Sequence, residues 1–217
     1  MGEPDNSAAQ WQSVGSVADG SVREAERERE LANRLTALVR DTPWFMEALR
    51  AVRELGLPSW CIGAGAVRNL VWDALHQAPV RSSLPDIDVA YFSNEDLSAE
   101  ADAEYERRLA LLRPDIPWEV TNQAGVHLWF ESCFGHPVEA VHSLAAAVAT
   151  WPEYATSVGI CLHANDDIEV IAPHGLRDLF SIVVRRNPTR VSVETYRQRV
   201  EQKRYAERWP GVTIVMS

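Results

Sequence analysis

The sequence predicts an α+β fold, and three observations carry that prediction. Long stretches dense in Arg, Glu, Leu and Ala read as helices. Short apolar runs closed by Gly, Pro or Asn/Asp turns read as strands. The two kinds alternate irregularly, with no internal repeat that would suggest a solenoid or a doubly wound sheet. With 217 residues, 46% of them hydrophobic and 24% charged, the chain can bury one core and carry a short appendage. No apolar run is long enough to span a bilayer, and Met1 to Gly20 lacks the basic and apolar regions of a secretory signal, so a cytoplasmic protein is expected. Cys61, Cys133 and Cys161 are odd in number and widely spaced, which suits reduced, buried small side chains better than a disulfide framework or a zinc site.

Taken in order, residues 1–22 are rich in Gly, Ser, Ala and Asp without periodicity and read as a mobile tail. Arg23 to Arg40 is helical by composition. Asp41-Thr42-Pro43 supplies a cap and a proline near the first helical position for a second helix through Leu55, which Gly56 and Pro58 end. Trp60-Cys61-Ile62 is a short strand. Gly63-Ala64-Gly65 turns it into a helix, Ala66 to His76, whose Val67, Leu70, Val71, Ala74 and Leu75 recur at helical spacing. Asp86 to Phe92 has the composition of a mostly buried strand; Leu97 to Leu112 is helical; Trp118 to Thr121 is a third strand, and Val126 to Phe130 a fourth extended apolar segment. Further on, His142 to Thr150 reads as a helix, Ser157 to His163 and Ile168 to Ile171 as strands around an Asn165-Asp166-Asp167 turn, and Thr195 to Arg208 as one basic helix. The division is a tail (1–22), a core with its leading helices (23–140) and a C-terminal extension packed on that core (141–217).

Asp86 and Asp88 carry the chemistry. Positions i and i+2 of a strand share a face, so both carboxylates project to one side, roughly 7 Å apart at Cα, while Ile87 and Val89 pack on the other. Like charge and desolvation both oppose ionisation of such a pair, and a divalent cation relieves both. Magnesium favours this oxygen ligation and keeps room for substrate phosphates. The plain alternative is a turn at the strand entrance with Asp88 solvated. The glycine turn upstream frees backbone amides to approach phosphate at a helix N-terminus, with Arg68 one turn on; the alternative there is a tight strand-to-helix connection. A dinucleotide-binding fingerprint is disfavoured, because Arg68 stands where its last glycine belongs.

In order, Gly63-Ala64-Gly65-Ala66-Val67-Arg68-Asn69 followed by Asp86-Ile87-Asp88-Val89 resembles the nucleotidyltransferase superfamily of DNA polymerase beta. Within it, Trp118-Glu119-Val120-Thr121-Asn122-Gln123, Trp151-Pro152-Glu153 and Ala172-Pro173-His174-Gly175-Leu176 are similar to recurring segments of a bacterial family of uncharacterised nucleotidyltransferase-like proteins. The likeness runs from about Trp60 to Trp209. It implies a polymerase-beta-like core with a small mixed sheet flanked by helices, followed by a C-terminal α/β extension. It also implies that Gly63, Ala64, Gly65 and Arg68 lie against a nucleoside triphosphate, that Asp86 and Asp88 bind magnesium (manganese being the alternative ion), and that Glu119 is the third carboxylate. Glu119 sits between apolar Trp118 and Val120, so its side chain points away from both; an ordinary edge-strand glutamate is the other reading. Asn122, Gln123 and His127 either hydrogen-bond a base or sugar or hold the turn together. One departure is Arg68-Asn69, where tRNA-acting relatives have Arg-Asp.

The implied reaction moves a nucleoside monophosphate from the triphosphate to a hydroxyl with loss of pyrophosphate. The rivals are a catalytically inactive nucleotide-binding regulatory or antitoxin-like protein, and a metal-dependent phosphohydrolase, for which no dense His/Asp ligand cluster adjoins Asp86. The net charge of -10 argues against long nucleic acid and for a small-molecule or protein acceptor. That average conceals nine basic residues against four acidic between Leu176 and Arg208, a segment suited to the phosphate-facing wall of the cleft. Trp118, Trp129 and Trp151 either stack a base or pack in the core and at its rim.

Overall fold

The computed structural model describes residues 7–216, with side chains from residue 20 onward. Helix α1 (Ser7–Arg40) begins inside the segment expected to be an aperiodic tail, whose residues 1–6 lie outside the described ones. Helix α2 (Pro43–Glu54) starts as expected, with proline in its first turn, and buries Phe45, Met46, Ala48, Leu49 and Val52 on one stripe. Gly56, at φ +71°, takes the left-handed conformation that ends it. No helix among the described residues is long and apolar enough to cross a membrane.

The central sheet is built from β1 (Trp60–Gly63), β2 (Ile87–Tyr91), β3 (Trp118–Asn122), β4 (Gly159–Leu162) and β5 (Ile168–Ile171). Their order is β3-β2-β1-β4-β5. β2 and β3 run parallel and every other pairing is antiparallel, so the sheet is mixed. The parallel pair requires a crossover, supplied by α4 (Ala99–Leu112). Helix α3 (Ala64–Leu75) links β1 to the long loop before β2 and buries Val67, Val71 and Trp72 against the sheet. Ile62, Ile87, Val89, Val120 and Ile160 from four strands join Leu35 and Val39 of α1 and the α2 stripe in one core. An α+β architecture with a small mixed sheet flanked by helices is thus what the chain adopts.

Two segments differ from expectation. The run after Gly125 is a helix, α5 (Val126–Phe134), capped by Gly135 at φ +78°; Val126, Phe130 and Phe134 recur every four residues, a helical period that a five-residue apolar window cannot reveal. The basic helix near the C-terminus is two, α8 (Val193–Lys203) and α9 (Tyr205–Arg208), broken at Arg204, which adopts φ +49° without being glycine. Cys61 and Cys161 are buried as expected, but Cys133 is exposed on α5; all three are free.

Short helix α6 (Leu144–Val148) and a 3-10 turn, Tyr154–Thr156, precede β4. After β5 the chain forms α7 (Arg177–Phe180), β6 (Val183–Arg185), α8, α9 and β7 (Thr213–Val215), with β6 and β7 paired in parallel. The segment after β5 is bolted to α3. The indole of Trp209 packs edge-on against Trp72 at 5.1 Å and donates to Asp73 Oδ1 at 2.8 Å, while Trp72 donates to the Leu179 carbonyl at 2.8 Å. Beneath them lies Glu153, only 1% exposed, which accepts from Arg199 Nε at 2.8 Å and from the Tyr205 hydroxyl at 3.0 Å. Arg68, 3% exposed, donates to Asn69 Oδ1 at 2.8 Å and faces the rings of Tyr205, Trp209 and Trp72 at 5.1, 5.5 and 5.7 Å.

A buried carboxylate stripped from its partners leaves charge uncompensated on the other side. Glu153→Ala, which strands Arg199 and Arg68, is expected to cost about 3–5 kcal/mol in urea unfolding. Asp178→Ala, which breaks the more exposed pair with Arg185, is expected to cost at most about 1 kcal/mol. Equal losses would show that Glu153 does not hold the extension in place.

Candidate active site

Asp88 of β2 and Glu119 of β3 are register partners across the parallel pair. Strand pairing fixes their backbones about 4.8 Å apart and turns both side chains to the same face. Asp86 stands one residue ahead of β2, on the side of Asp88, while Ile87 and Val89 are fully buried on the other. The three carboxylates line one cleft of about 310 Å3 together with Ala64, Gly65 and Arg68 on the turn side and Arg199 and Lys203 on the far side. Sequence reasoning therefore brought Asp86, Asp88, Glu119, Ala64, Gly65, Arg68 and Gln123 to one place.

Burial and like charge weigh on the carboxylates of this cleft. Burial, then the neighbouring Asp86 and Glu119, push the Asp88 carboxyl up to about 6, with Arg199 and Lys203 pulling the other way. Glu119 is raised by burial, then by Asp86 and Glu106. Lys203 is lowered by burial and by Arg199 and Arg68, against the opposing pull of Asp86 and Asp88. Among the described residues no arginine or lysine comes within ion-pair distance of Asp86, Asp88 or Glu119. An all-oxygen donor set in mutual repulsion fits a hard divalent ion such as magnesium.

The turn that opens the cleft is stiff. Ala64 adopts φ +50°, a left-handed conformation costing a non-glycine residue on the order of 1 kcal/mol, and its amide is used by the Val158 carbonyl at 3.2 Å. The donors left without an intrahelical acceptor at this turn are the next first-turn amides of α3, Gly65 foremost. Gly63 serves packing instead: a Cβ there would meet the Trp151 ring at 2.5 Å and the Val158 carbonyl at 2.9 Å. It does not line the cleft, and neither does Asn122. The Asn122 side chain donates to the carbonyls of Ser93 (2.8 Å) and Asp96 (2.9 Å) and accepts from the Ser93 amide (3.1 Å), so it braces the loop after β2. Gln123 does reach the cleft, where Trp151 Nε1 points to its Oε1 at 3.4 Å. Arg68 reaches it from within its cage of aromatic rings.

Arg199 and Lys203 were not singled out from the sequence individually, although the basic stretch that contains them was. They lie four residues apart on α8, hence on one face. Lys203 is the only lysine among the 21 basic residues; in a chain that otherwise uses arginine, that was the available signal. Trp151 and Pro152 form the remaining wall, and Thr121, two residues past Glu119 on the same face of β3, the floor.

No curated protein matches the chain. A solution structure described as revealing a CCA-adding enzyme head domain superimposes with a TM-score of 0.71 at 29% identity, over 84% of this chain and 95% of its own. A CCA-adding enzyme in complex with CTP superimposes with a TM-score of 0.52 at 17% identity, over 83% of this chain and 43% of its own, a likeness of fold. A family model described as nucleotidyltransferase matches residues 50–214, three quarters of the sequence and every residue of the cleft. The chain therefore belongs to the nucleotidyltransferase family, within the polymerase-beta-type superfamily that its glycine turn and Asp-x-Asp strand resemble.

Proposed function

We propose that the cleft transfers a nucleoside monophosphate from a nucleoside triphosphate to a hydroxyl acceptor, a small molecule or a protein, with a divalent cation, magnesium or manganese. The observation that carries this reading is the pairing of Asp88 with Glu119, flanked by Asp86, opposite Arg199 and Lys203. Asp86 and Asp88 would hold the cation, with Glu119 the third carboxylate available to it. When bound, the ion neutralises the carboxylates and stabilises charge on the entering and leaving oxygens of an in-line displacement.

The residues of the chain do the rest. The first-turn amides of α3 around Gly65 bind the triphosphate, aided by the field of the helix N-terminus. Lys203 faces the charge that builds on the departing pyrophosphate, with Arg199, already paired to Glu153, beside it; a preplaced cation in a narrow cleft is worth more there than in water. Glu119 assists in taking the proton of the attacking hydroxyl. Trp151 and Pro152 close one side against water. The CTP-bound relative of similar fold supports a nucleotide donor.

Three outcomes test this. With each nucleoside triphosphate and magnesium or manganese, wild-type protein is expected to release pyrophosphate slowly with water as acceptor. Asp88→Asn is expected to lower that rate by about 1,000-fold or more while the melting transition stays cooperative. Nucleotide binding with no ion-dependent pyrophosphate in the wild type would instead support the inactive, regulatory reading. Lys203→Met is expected to lower kcat about 10- to 100-fold with a smaller change in nucleotide affinity; a change in KM alone would place Lys203 in ground-state binding. The third outcome concerns stability. A carboxyl raised to about 6 when folded binds protons more tightly folded than unfolded. Without metal, the contribution of Asp88 to stability is therefore greatest below pH 4 and is lost as pH rises through about 6, by up to about 3 kcal/mol. Asp88→Asn should melt higher than wild type at pH 7.5 but not at pH 4, and magnesium should raise only the wild type. A variant no more stable at pH 7.5 would show that Asp88 is not under repulsion.

A further inference from the structure

Past Glu119 the cleft continues into a second cavity of about 390 Å3 that shares Thr121, Gln123, Trp151, Pro152 and Arg199 with it. Glu119 and Thr121 alternate on one face of β3, so a molecule in this cavity presents its near end to the carboxylates. Its chemistry is different from that of the metal cleft. One wall is a run of rings on α5: Phe130 and Phe134 lie 4.5 Å apart at their centroids, and Trp129 stacks on Phe130 at 6.4 Å and 29°. Trp129 is 42% and Phe134 52% exposed, a large apolar area to leave in water beside a catalytic site. The opposite wall, on α8, offers the amides of Gln198 and Gln202.

The charge of the cavity is one-sided. No carboxylate lines it among the described residues, whereas Arg190 and Arg199 do. Arg199 is already neutralised by Glu153. Arg190 is not: its guanidinium lies 5.6 Å from the Phe130 centroid and donates to the Glu139 carbonyl at 2.9 Å, with no carboxylate partner among the described residues. It is partly buried, and burial lowers its proton affinity. A partly buried cation without a counter-ion, set at the edge of an aromatic wall, is complementary to a flat ring that bears an anionic group. A cavity of this volume takes a small organic molecule; a neutral nucleobase would leave Arg190 uncompensated.

Building on the nucleotidyl-transfer reading, we infer that the acceptor is a small, flat aromatic molecule carrying an anionic group and a hydroxyl, bound in this cavity with its anion on Arg190 and its hydroxyl towards Glu119. The acceptor oxygen forms a bond to the α-phosphorus, the bond from that phosphorus to the bridging oxygen breaks, and pyrophosphate leaves with the electron pair. The hydroxyl proton passes to Glu119 and on to solvent. The product is a phosphodiester that joins the nucleoside monophosphate to the former hydroxyl oxygen, with the anionic group unchanged.

Fluorescence titration with 6-hydroxynaphthalene-2-sulfonate and its uncharged parent 2-naphthol tests this, in the presence and absence of magnesium and each nucleoside triphosphate. Both probes are expected to bind wild-type protein, and the sulfonate to bind together with nucleotide. Arg190→Met should weaken the sulfonate by about tenfold and 2-naphthol by less than about twofold. Trp129→Ala, at an exposed position that leaves the core intact, should weaken both. Displacement of the sulfonate by magnesium nucleotide in a competitive manner would overturn the inference and give the cavity to the donor's base. Unchanged sulfonate affinity in both variants would overturn it as well. Failure of every nucleotide to bind, measured separately by calorimetry, would instead overturn the donor reading and is distinguishable from either result.

Discussion

The buried carboxylate of Glu153 is the constraint on which the working face of the molecule depends. A charge with 1% exposure must be compensated, and its partners come from α8 and α9, distant in sequence. Arg199 and Tyr205 are drawn inward to it, and with them the helix that carries Lys203. Arg68 is held in the same polyvalent arrangement from the α3 side, its guanidinium enclosed by three aromatic rings. The cations of the cleft are therefore positioned by a structural ion cluster, and the C-terminal extension is part of the site.

Much of this was legible in the sequence. The order of strand, glycine turn, helix and Asp-x-Asp strand identified both the fold and the carboxylates, because i and i+2 in a strand share a face whatever surrounds them. Glu119 came from the resemblance, with its apolar neighbours in agreement on the face it takes. Asn122 and Gly63 did not follow, since both roles are tertiary: Asn122 spends its amide on two loop carbonyls, and Gly63 is small because Trp151, 88 positions later, lies against it. Helix α5 was hidden by the shortness of its apolar run, and the break at Arg204 by the absence of glycine at a left-handed position. Arg199 and Lys203 were visible only as members of a basic stretch, because nothing local distinguishes a helix face turned to a carboxylate cluster from one turned to water.

The two adjoining cavities divide along chemical lines. The first sets three carboxylates, Asp86, Asp88 and Glu119, opposite three cations, Arg68, Arg199 and Lys203, with burial and like charge raising the proton affinity of Asp88. The second gathers rings and a guanidinium without acid, so that it favours a flat anion. Trp151 belongs to both, its ring closing the space beside Gly63 and its indole nitrogen directed at Gln123. The acidity of the chain as a whole is thus a poor guide to what either cavity accepts.

The spacing of Asp88 and Glu119 is set by a hydrogen-bonded ladder, whose pitch is the same in every sheet, and owes nothing to how the surrounding helices pack. The walls of the second cavity come from α5 and α8, surface helices whose side chains change without disturbing that ladder. The spacing of the two carboxylates and the lining of the second cavity therefore answer to different parts of the polypeptide, which meet at α8, whose Arg199 lines both cavities. Two helix faces can be redrawn while the ruler that spaces Asp88 and Glu119 stays as it is.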